Sequence, residues 1–227
     1  MEIQLQTIAR LIGYPVRANI LWTLLDGKAY TASELAVSAD TSLQNISMHL
    51  NKLTKADLLT VEKQGRHRYF RFSRDEVAYA IEGLANLVQE GKRKNIGDKA
   101  EIPDVQYCRT CYDHLAGKIG VMITTELTKQ KLLRLSEEKN FMLTAKGKDF
   151  FEALGIATEI LKGQRRIFAR PCLDWSERKY HLAGSLGAAL LEKMLHEDWI
   201  RRTKNSRVII LTAKGRKELS SKFGIEI

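Results

Sequence analysis

Apolar residues recur at helical spacing through the first part of the chain. Ile3, Leu5, Ile8, Leu11 and Ile12 mark one amphipathic segment, and Val16, Ile20, Leu21, Leu24 and Leu25 mark a second. Pro15 stands in the first turn of that second segment, where a missing N–H is tolerated, and Gly27 stops it. Thr31-Ala-Ser-Glu34 has the spacing of a capping box and predicts the start of a short helix. Between Asp40 and Leu59, the residues Ile46, Leu50 and Leu53 fall at i, i+4 and i+7, which predicts a helix with one buried face. Its other face carries Gln44, Asn45, Ser47, Met48, Asn51 and Lys52. The period then changes. From Leu58 to Phe72, two β-rich runs flank a polar Gln64-Gly65 turn, the pattern of a hairpin. Val77, Ile81, Leu84, Leu87 and Val88 predict an amphipathic helix over Asp75 to Lys94, with cations at its C-terminal end. Asn95 to Gln106, with Gly97 and Pro103, reads as a linker.

Helix, turn, helix and hairpin make a winged helix-turn-helix, and the polar face over residues 44–52 suits base edges and phosphates. Ser42, Gln44, Asn45, Ser47, Met48, His49 and Lys52 are therefore candidate DNA contacts from the second helix. Arg66, His67 and Arg68 at the hairpin tip are candidates for phosphates or a minor groove. In combination, Tyr14-Pro-Val-Arg17, Ser33-Glu-Leu-Ala36, Ser42-Leu-Gln-Asn-Ile-Ser-Met-His-Leu50 with Leu53, and Lys63-Gln-Gly-Arg-His-Arg-Tyr-Phe70 resemble the ArsR-type (ArsR/SmtB) bacterial transcriptional regulators over residues 1–90. The resemblance implies duplex DNA as partner, a homodimer joined through the Asp75 to Lys94 helix, and a pseudo-palindromic operator. It also removes something. The best-known metal sensors of that family carry Cys-x-Cys where this chain has Thr31-Ala-Ser33, and a His and Asp site on the dimer helix, which has no histidine here.

The distal half repeats itself. His114-Leu-Ala-Gly-Lys-Ile-Gly120 returns 67 residues later as His181-Leu-Ala-Gly-Ser-Leu-Gly187, Leu143-Thr-Ala-Lys-Gly147 returns 68 later as Leu211-Thr-Ala-Lys-Gly215, and Gly155-Ile156 returns as Gly224-Ile225. Each copy reads helix, β-hairpin, capped helix, a degenerate winged helix. Glycine and alanine replace the polar reading groups, which points to close helix packing rather than base readout. The expected organisation is mainly α with small β-hairpins: a winged helix-turn-helix and dimerisation domain over 1–94, a linker over 95–106, and tandem repeats over 107–165 and 166–227.

Charge adds a polyanionic partner to this picture. The 227 residues carry 37 Lys and Arg against 27 Asp and Glu, a net charge of +10. Residues 1–95 hold 13 cations and 10 anions, so the distal half carries most of the excess. There is no apolar run long enough for a membrane span and no leader pattern at the N-terminus, and three cysteines do not make a disulfide framework, so the expectation is a cytoplasmic protein with reduced thiols and no membrane partner.

One further constellation carries candidate chemistry: Cys108-Arg-Thr-Cys111 with His114, and Cys172 with Asp174 and His181. Cys108 and Cys111, three apart, would lie on neighbouring faces of a helical turn, and packing of the copies could add Cys172. Those thiols could hold a soft metal or metalloid ion, or form a redox pair, with no cofactor as the alternative. The repeat weighs against the histidines, which occur in both copies as packed core residues would. At the offset of 67, Cys108, Cys111 and Cys172 answer to Trp175, Arg178 and Val105, so the fold itself does not require the thiols. No acid–base pair, phosphate loop or nucleophile elbow accompanies them, so the protein is not expected to be an enzyme. Three readings stay open: a homodimeric repressor whose operator binding is modulated through the distal half by an effector the sequence does not name, a thiol oxidoreductase using Cys108 and Cys111, and an effector-independent architectural DNA binder.

Overall fold

The computed structural model describes residues 2–87, 104–137, 139–204 and 206–227, and the chain divides into two units, Met1–Val88 and Gln89–Ile227. In the first unit, α1 (Glu2–Ile12) and α2 (Pro15–Thr23) lead into a 3-10 turn at Leu24–Asp26 that closes on Gly27 at φ 78°. A short strand β1 (Tyr30–Thr31) precedes α3 (Ala32–Ser38). The capping box forms there: the Thr31 hydroxyl accepts from the Glu34 N–H at 3.3 Å, and the Glu34 carboxylate accepts from the Thr31 N–H at 2.7 Å. Next comes α4 (Leu43–Lys55), capped by the Ser42 hydroxyl, which accepts from the Asn45 N–H.

The wing is β2 (Leu59–Gln64) paired antiparallel with β3 (His67–Phe72), from Leu59 opposite Phe72 to Gln64 opposite His67, and β1 joins the outer edge of β3. Its turn residues are Gly65 and Arg66, one position beyond the expected Gln64-Gly65, because Gly65 supplies the left-handed φ of 59° at the first turn position. The following α5 spans Asp75–Ala85. The helix expected over Asp75 to Lys94 ends at Ala85, with Asn86 and Leu87 in a turn; residues 88–94, and residues 95–103 of the expected linker, lie outside the described residues, and the linker's last three fall in α6 (Asp104–Tyr107).

Ile20, Leu21, Leu24, Leu25, Leu35, Ile46 and Leu53 lose all solvent exposure and form the first unit's core, each side chain contributing about 1.5–3 kcal/mol. The Tyr14-Pro-Val-Arg17 motif has a structural task beside them. Buried Arg17 donates to the Arg10 and Leu11 carbonyls at 2.8 and 2.5 Å, satisfying the end of α1. Its guanidinium also stacks on Tyr14 at 4.6 Å and reaches His49 Nδ1 on α4 at 3.4 Å.

The distal unit is one pattern used twice. The first copy runs β4 (Arg109–Cys111), β5 (His114–Ala116), α7 (Gly117–Lys129), β6 (Leu133–Leu135), β7 (Phe141–Leu143) and α8 (Ala145–Ala153), with α9 (Thr158–Lys162) after it. The second runs β8 (Arg170–Leu173), β9 (Tyr180–Ala183), α10 (Gly184–His196), β10 (Ile200–Arg202), β11 (Ile209–Leu211) and α11 (Ala213–Glu218). Each copy opens with a hairpin that the hydrophobic pattern does not predict. Cys111 and His114 therefore sit on strands and Cys108 just ahead of one, instead of on a helical turn.

The repeated motifs mark where backbones touch. In Leu-Thr-Ala-Lys-Gly, Thr144 and Thr212 cap α8 and α11 by accepting from the Gly147 and Gly215 N–H groups. A Cβ at either glycine would stand 2.1 Å from the Leu132 carbonyl oxygen or 2.0 Å from that of Trp199. In His-Leu-Ala-Gly, Gly117 and Gly184 turn the chain from strand to helix at φ 77° and 84°, a left-handed conformation that glycine adopts without strain. The copies pack reciprocally, with β5 against α10 and β9 against α7, around one core that draws Ile119, Ile123, Leu127 and Phe151 from the first and Leu186, Leu191, Met194 and Phe223 from the second. Among the described residues, no helix is long and apolar enough to cross a membrane.

Candidate functional site

Two surfaces or clusters bear on function, one in each unit. On α4, burial of Ile46, Leu50 and Leu53 leaves Gln44, Ser47, Met48, Asn51, Lys52 and Lys55 exposed. The Ser47 hydroxyl donates to the Leu43 carbonyl at 2.8 Å, Ser42 is used as the cap, and Asn45 is partly buried with its amide on the Thr41 hydroxyl at 2.7 Å. His49 is corrected by the structure. It is only 1% exposed, lies against Tyr14 and Arg17, and cannot reach a duplex from there. Burial, and then the Arg17 charge, lower its pKa, so it is held as a neutral core imidazole.

Arg66, His67 and Arg68 are all exposed at the wing, with the Arg68 guanidinium 5.7 Å from the Phe70 ring. A cleft lined by Ser47, Asn51, Thr54 and Arg68 runs between α4 and the wing. The exposed polar helix face and the cationic hairpin thus border the same groove, the arrangement by which a helix and a wing together hold a duplex.

In the distal unit the structure sorts the thiols differently from the sequence expectation. Cys108 lies in the apolar core, where burial pushes its thiol up to about 12, the reverse of what a nucleophile or a metal ligand needs. Cys111 and Cys172 instead meet at 3.8 Å between sulfurs, with His114 and His181 beside them, and the four ligand atoms lie within 4.8 Å of one another. Cys111, His114 and His181 are buried and Cys172 is partly so. The equivalences at a fixed offset are also corrected. Cys111 pairs across its hairpin with His114, and Cys172 pairs across the other with His181. Cys172 is therefore the counterpart of Cys111, not of Val105.

Carboxylates orient both imidazoles. His114 Nδ1 is 3.1 Å from Asp113, and His181 Nδ1 is 3.2 Å from Asp174, so both Nε2 atoms turn inward and stand 3.1 Å apart. Arg166 binds Asp113 at 2.6 Å and Arg109 binds Asp174 at 2.9 Å. Asp174 also accepts from the Gly117, Ser176 and Glu177 N–H groups. Burial would raise Asp174, but His181, Arg109 and these donors hold it well below the carboxylate range. Burial opposes a charged His114, yet Asp113 and Cys172 raise it to about 9. The Cys111 contact, with help from both imidazoles, holds Cys172 far below the usual thiol range against its own burial. Sequence reasoning singled out neither Asp113, Arg109 nor Arg166 for this cluster. The signal available for the first was an aspartate directly before His114.

A family profile described as a helix-turn-helix domain matches residues 12–62. Along its whole length the chain is 42% identical over 227 residues to the uncharacterized HTH-type transcriptional regulator YdfF of Bacillus subtilis (strain 168), covering 100% of both chains. It is 28% identical over 87 residues, 38% of this chain and 96% of the other, to the transcriptional repressor SdpR of the same organism. Among solved structures, HlyU from Vibrio cholerae N16961 is 26% identical and aligns over 38% of this chain and 92% of its own with a TM-score of 0.35. With a groove of this form at its N-terminus and a relative matched from end to end, the chain belongs to the DNA-binding HTH-type transcriptional regulators and carries a winged helix-turn-helix over its first unit.

Proposed function

We propose that the protein is a homodimeric repressor that acts in the cytoplasm on a pseudo-palindromic operator and is modulated through its distal unit. The observation that carries this reading is the polar, cation-bearing face of α4 exposed beside the wing. Gln44, Ser47, Met48 and Asn51 face base edges in the major groove, Lys52 and Lys55 follow toward phosphates, and Arg66, His67 and Arg68 lie on the backbone or in a minor groove. One such helix reads too few bases for a specific site, so two protomers cover half-sites about 34–36 Å apart or a multiple of that. Leu5 on α1 and Leu84 on α5 are 69% and 43% exposed, and these apolar side chains support a pairing face there. A thiol oxidoreductase built on Cys108 and Cys111 is disfavoured by the burial and high pKa of Cys108.

Sedimentation of the full chain, free and on a duplex selected from random sequence, tests the reading. It expects two protomers per duplex and a footprint with twofold symmetry. A single protomer protecting one half-site would overturn it.

A further inference from the structure

We propose that Cys111, His114, Cys172 and His181 form a tetrahedral zinc site that bridges the two repeats of the distal unit. This goes beyond the reading of the protein as a regulator and does not depend on it.

The donor set is the first argument. Two thiols and two imidazoles converge, one Cys and one His from each repeat, and among the described residues no carboxylate enters the cluster. Tetrahedral sulfur and nitrogen donors of this kind select zinc over the harder divalent cations.

The spacing is the second. Zinc bonds of about 2.3 Å to sulfur and 2.0–2.1 Å to nitrogen place two sulfurs about 3.8 Å apart and two nitrogens about 3.3–3.4 Å apart on a tetrahedron. The sulfurs here are 3.8 Å apart and the Nε2 atoms 3.1 Å apart. Mixed pairs at up to 4.8 Å must close by about 1 Å, a side-chain adjustment.

The orientation of the imidazoles is the third and does not depend on the distances between ligands. His114 Nδ1 is hydrogen-bonded to Asp113 and His181 Nδ1 lies at ion-pair distance from Asp174, so each ring turns its Nε2 inward. Two Nε2 atoms 3.1 Å apart in a buried site need a proton or a metal cation between or beside them. Zinc supplies that cation. The surrounding charge then closes as well: two thiolates match the divalent ion, and the Asp113 and Asp174 carboxylates are matched by Arg166 and Arg109. Because each ligand pair spans one hairpin, the ion ties β4–β5 to β8–β9 and crosslinks the copies where they pack.

The test uses the full chain, purified with reductant and without chelator. Expected are about one zinc per chain by elemental analysis, retained through gel filtration. After removal of zinc, titration with Co(II) should give the intense visible bands of a tetrahedral ion together with thiolate-to-cobalt charge transfer, saturating near one equivalent. Cys172→Ser should lose about half of the charge-transfer intensity and bind Co(II) at least tenfold more weakly, while Cys108→Ser, outside the cluster, should match the parent. If Cys172→Ser does not fold, the parent titration and the Cys108→Ser variant still decide. A reduced, folded parent with no zinc and no tetrahedral Co(II) spectrum would overturn the proposal. So would equal loss of metal in Cys108→Ser, or a native Cys111–Cys172 disulfide whose reduction confers no metal uptake.

Discussion

Replacing Arg109 by Met isolates the energetic weight of the distal unit's buried polar centre. Arg109 and Asp174 are both without solvent exposure, and they pair at 2.9 Å. Methionine fills much of the arginine volume, so little cavity forms, but Asp174 keeps its backbone donors and loses its countercharge. Removing one partner of a buried pair costs about 3–5 kcal/mol. Loss of the guanidinium stacked 4.3 Å over Trp175 adds about 1 kcal/mol more, roughly offset by the donors that remain on Asp174. A net 3–5 kcal/mol lowers the melting temperature of a unit of this size by about 10 °C or more. Urea unfolding followed by tryptophan fluorescence reads this, since Trp175 and Trp199 report on the distal unit and Trp22 on the other. The double variant Arg109→Met, Asp174→Asn should recover part of the loss, because no uncompensated charge is left buried. A single-variant loss below about 1 kcal/mol, or a double variant no more stable than the single, would mean that Asp174 does not depend on Arg109 for its countercharge.

Other expectations follow from the same geometry. Arg68→Ala should weaken binding to all duplexes alike and flatten the salt dependence by about one unit of slope, read by fluorescence anisotropy at several salt concentrations; an unchanged slope would place the wing off the backbone. Gly215→Ala drives a Cβ to 2.0 Å from the Trp199 carbonyl oxygen and should cost about 1–3 kcal/mol or more, measured by denaturation, with Gly147→Ala alike; a neutral result in both would mean the Thr-capped corners are loose. Asp113→Asn should weaken zinc binding by about 10–100-fold with the four ligands intact, by competition with a chromophoric chelator. His49 is packed with Tyr14 and Arg17, with Lys52 one turn on, and its pKa is lowered in the folded state. Its contribution to stability is then present above the unfolded value near 6.5 and is lost as pH falls below it, so the N-terminal unit should weaken under mild acid and His49→Gln should flatten that dependence.

The winged helix was legible because its signals are local and mutually consistent. The capping box at Thr31, the i, i+4, i+7 spacing of Ile46, Leu50 and Leu53, and the change of period at Leu58 all point one way. At position 49 the polar residue type points to solvent, but the helical angle decides. Three residues after Ile46, His49 lies only about 60° from it around the helix, within the buried arc. The hairpins β4–β5 and β8–β9 were hidden because strands of three or four residues give too few positions for an alternating pattern. The Cys and His cluster was obscured by an insertion. Cys111 precedes His114 by three residues and Cys172 precedes His181 by nine, so a constant offset matched Cys172 to Val105 and made the thiols look peculiar to each copy. Cross-strand pairing, absent from a linear comparison, is what reveals the equivalence.

Binding of the parent and of Gln44→Ala to a selected operator and to a random duplex of equal length, at one salt concentration, separates base reading from general affinity. If α4 reads bases, Gln44→Ala loses about 1–3 kcal/mol on the operator and nothing on the random duplex. Equal losses on both duplexes, or none on either, would contradict the assignment of this helix to sequence recognition.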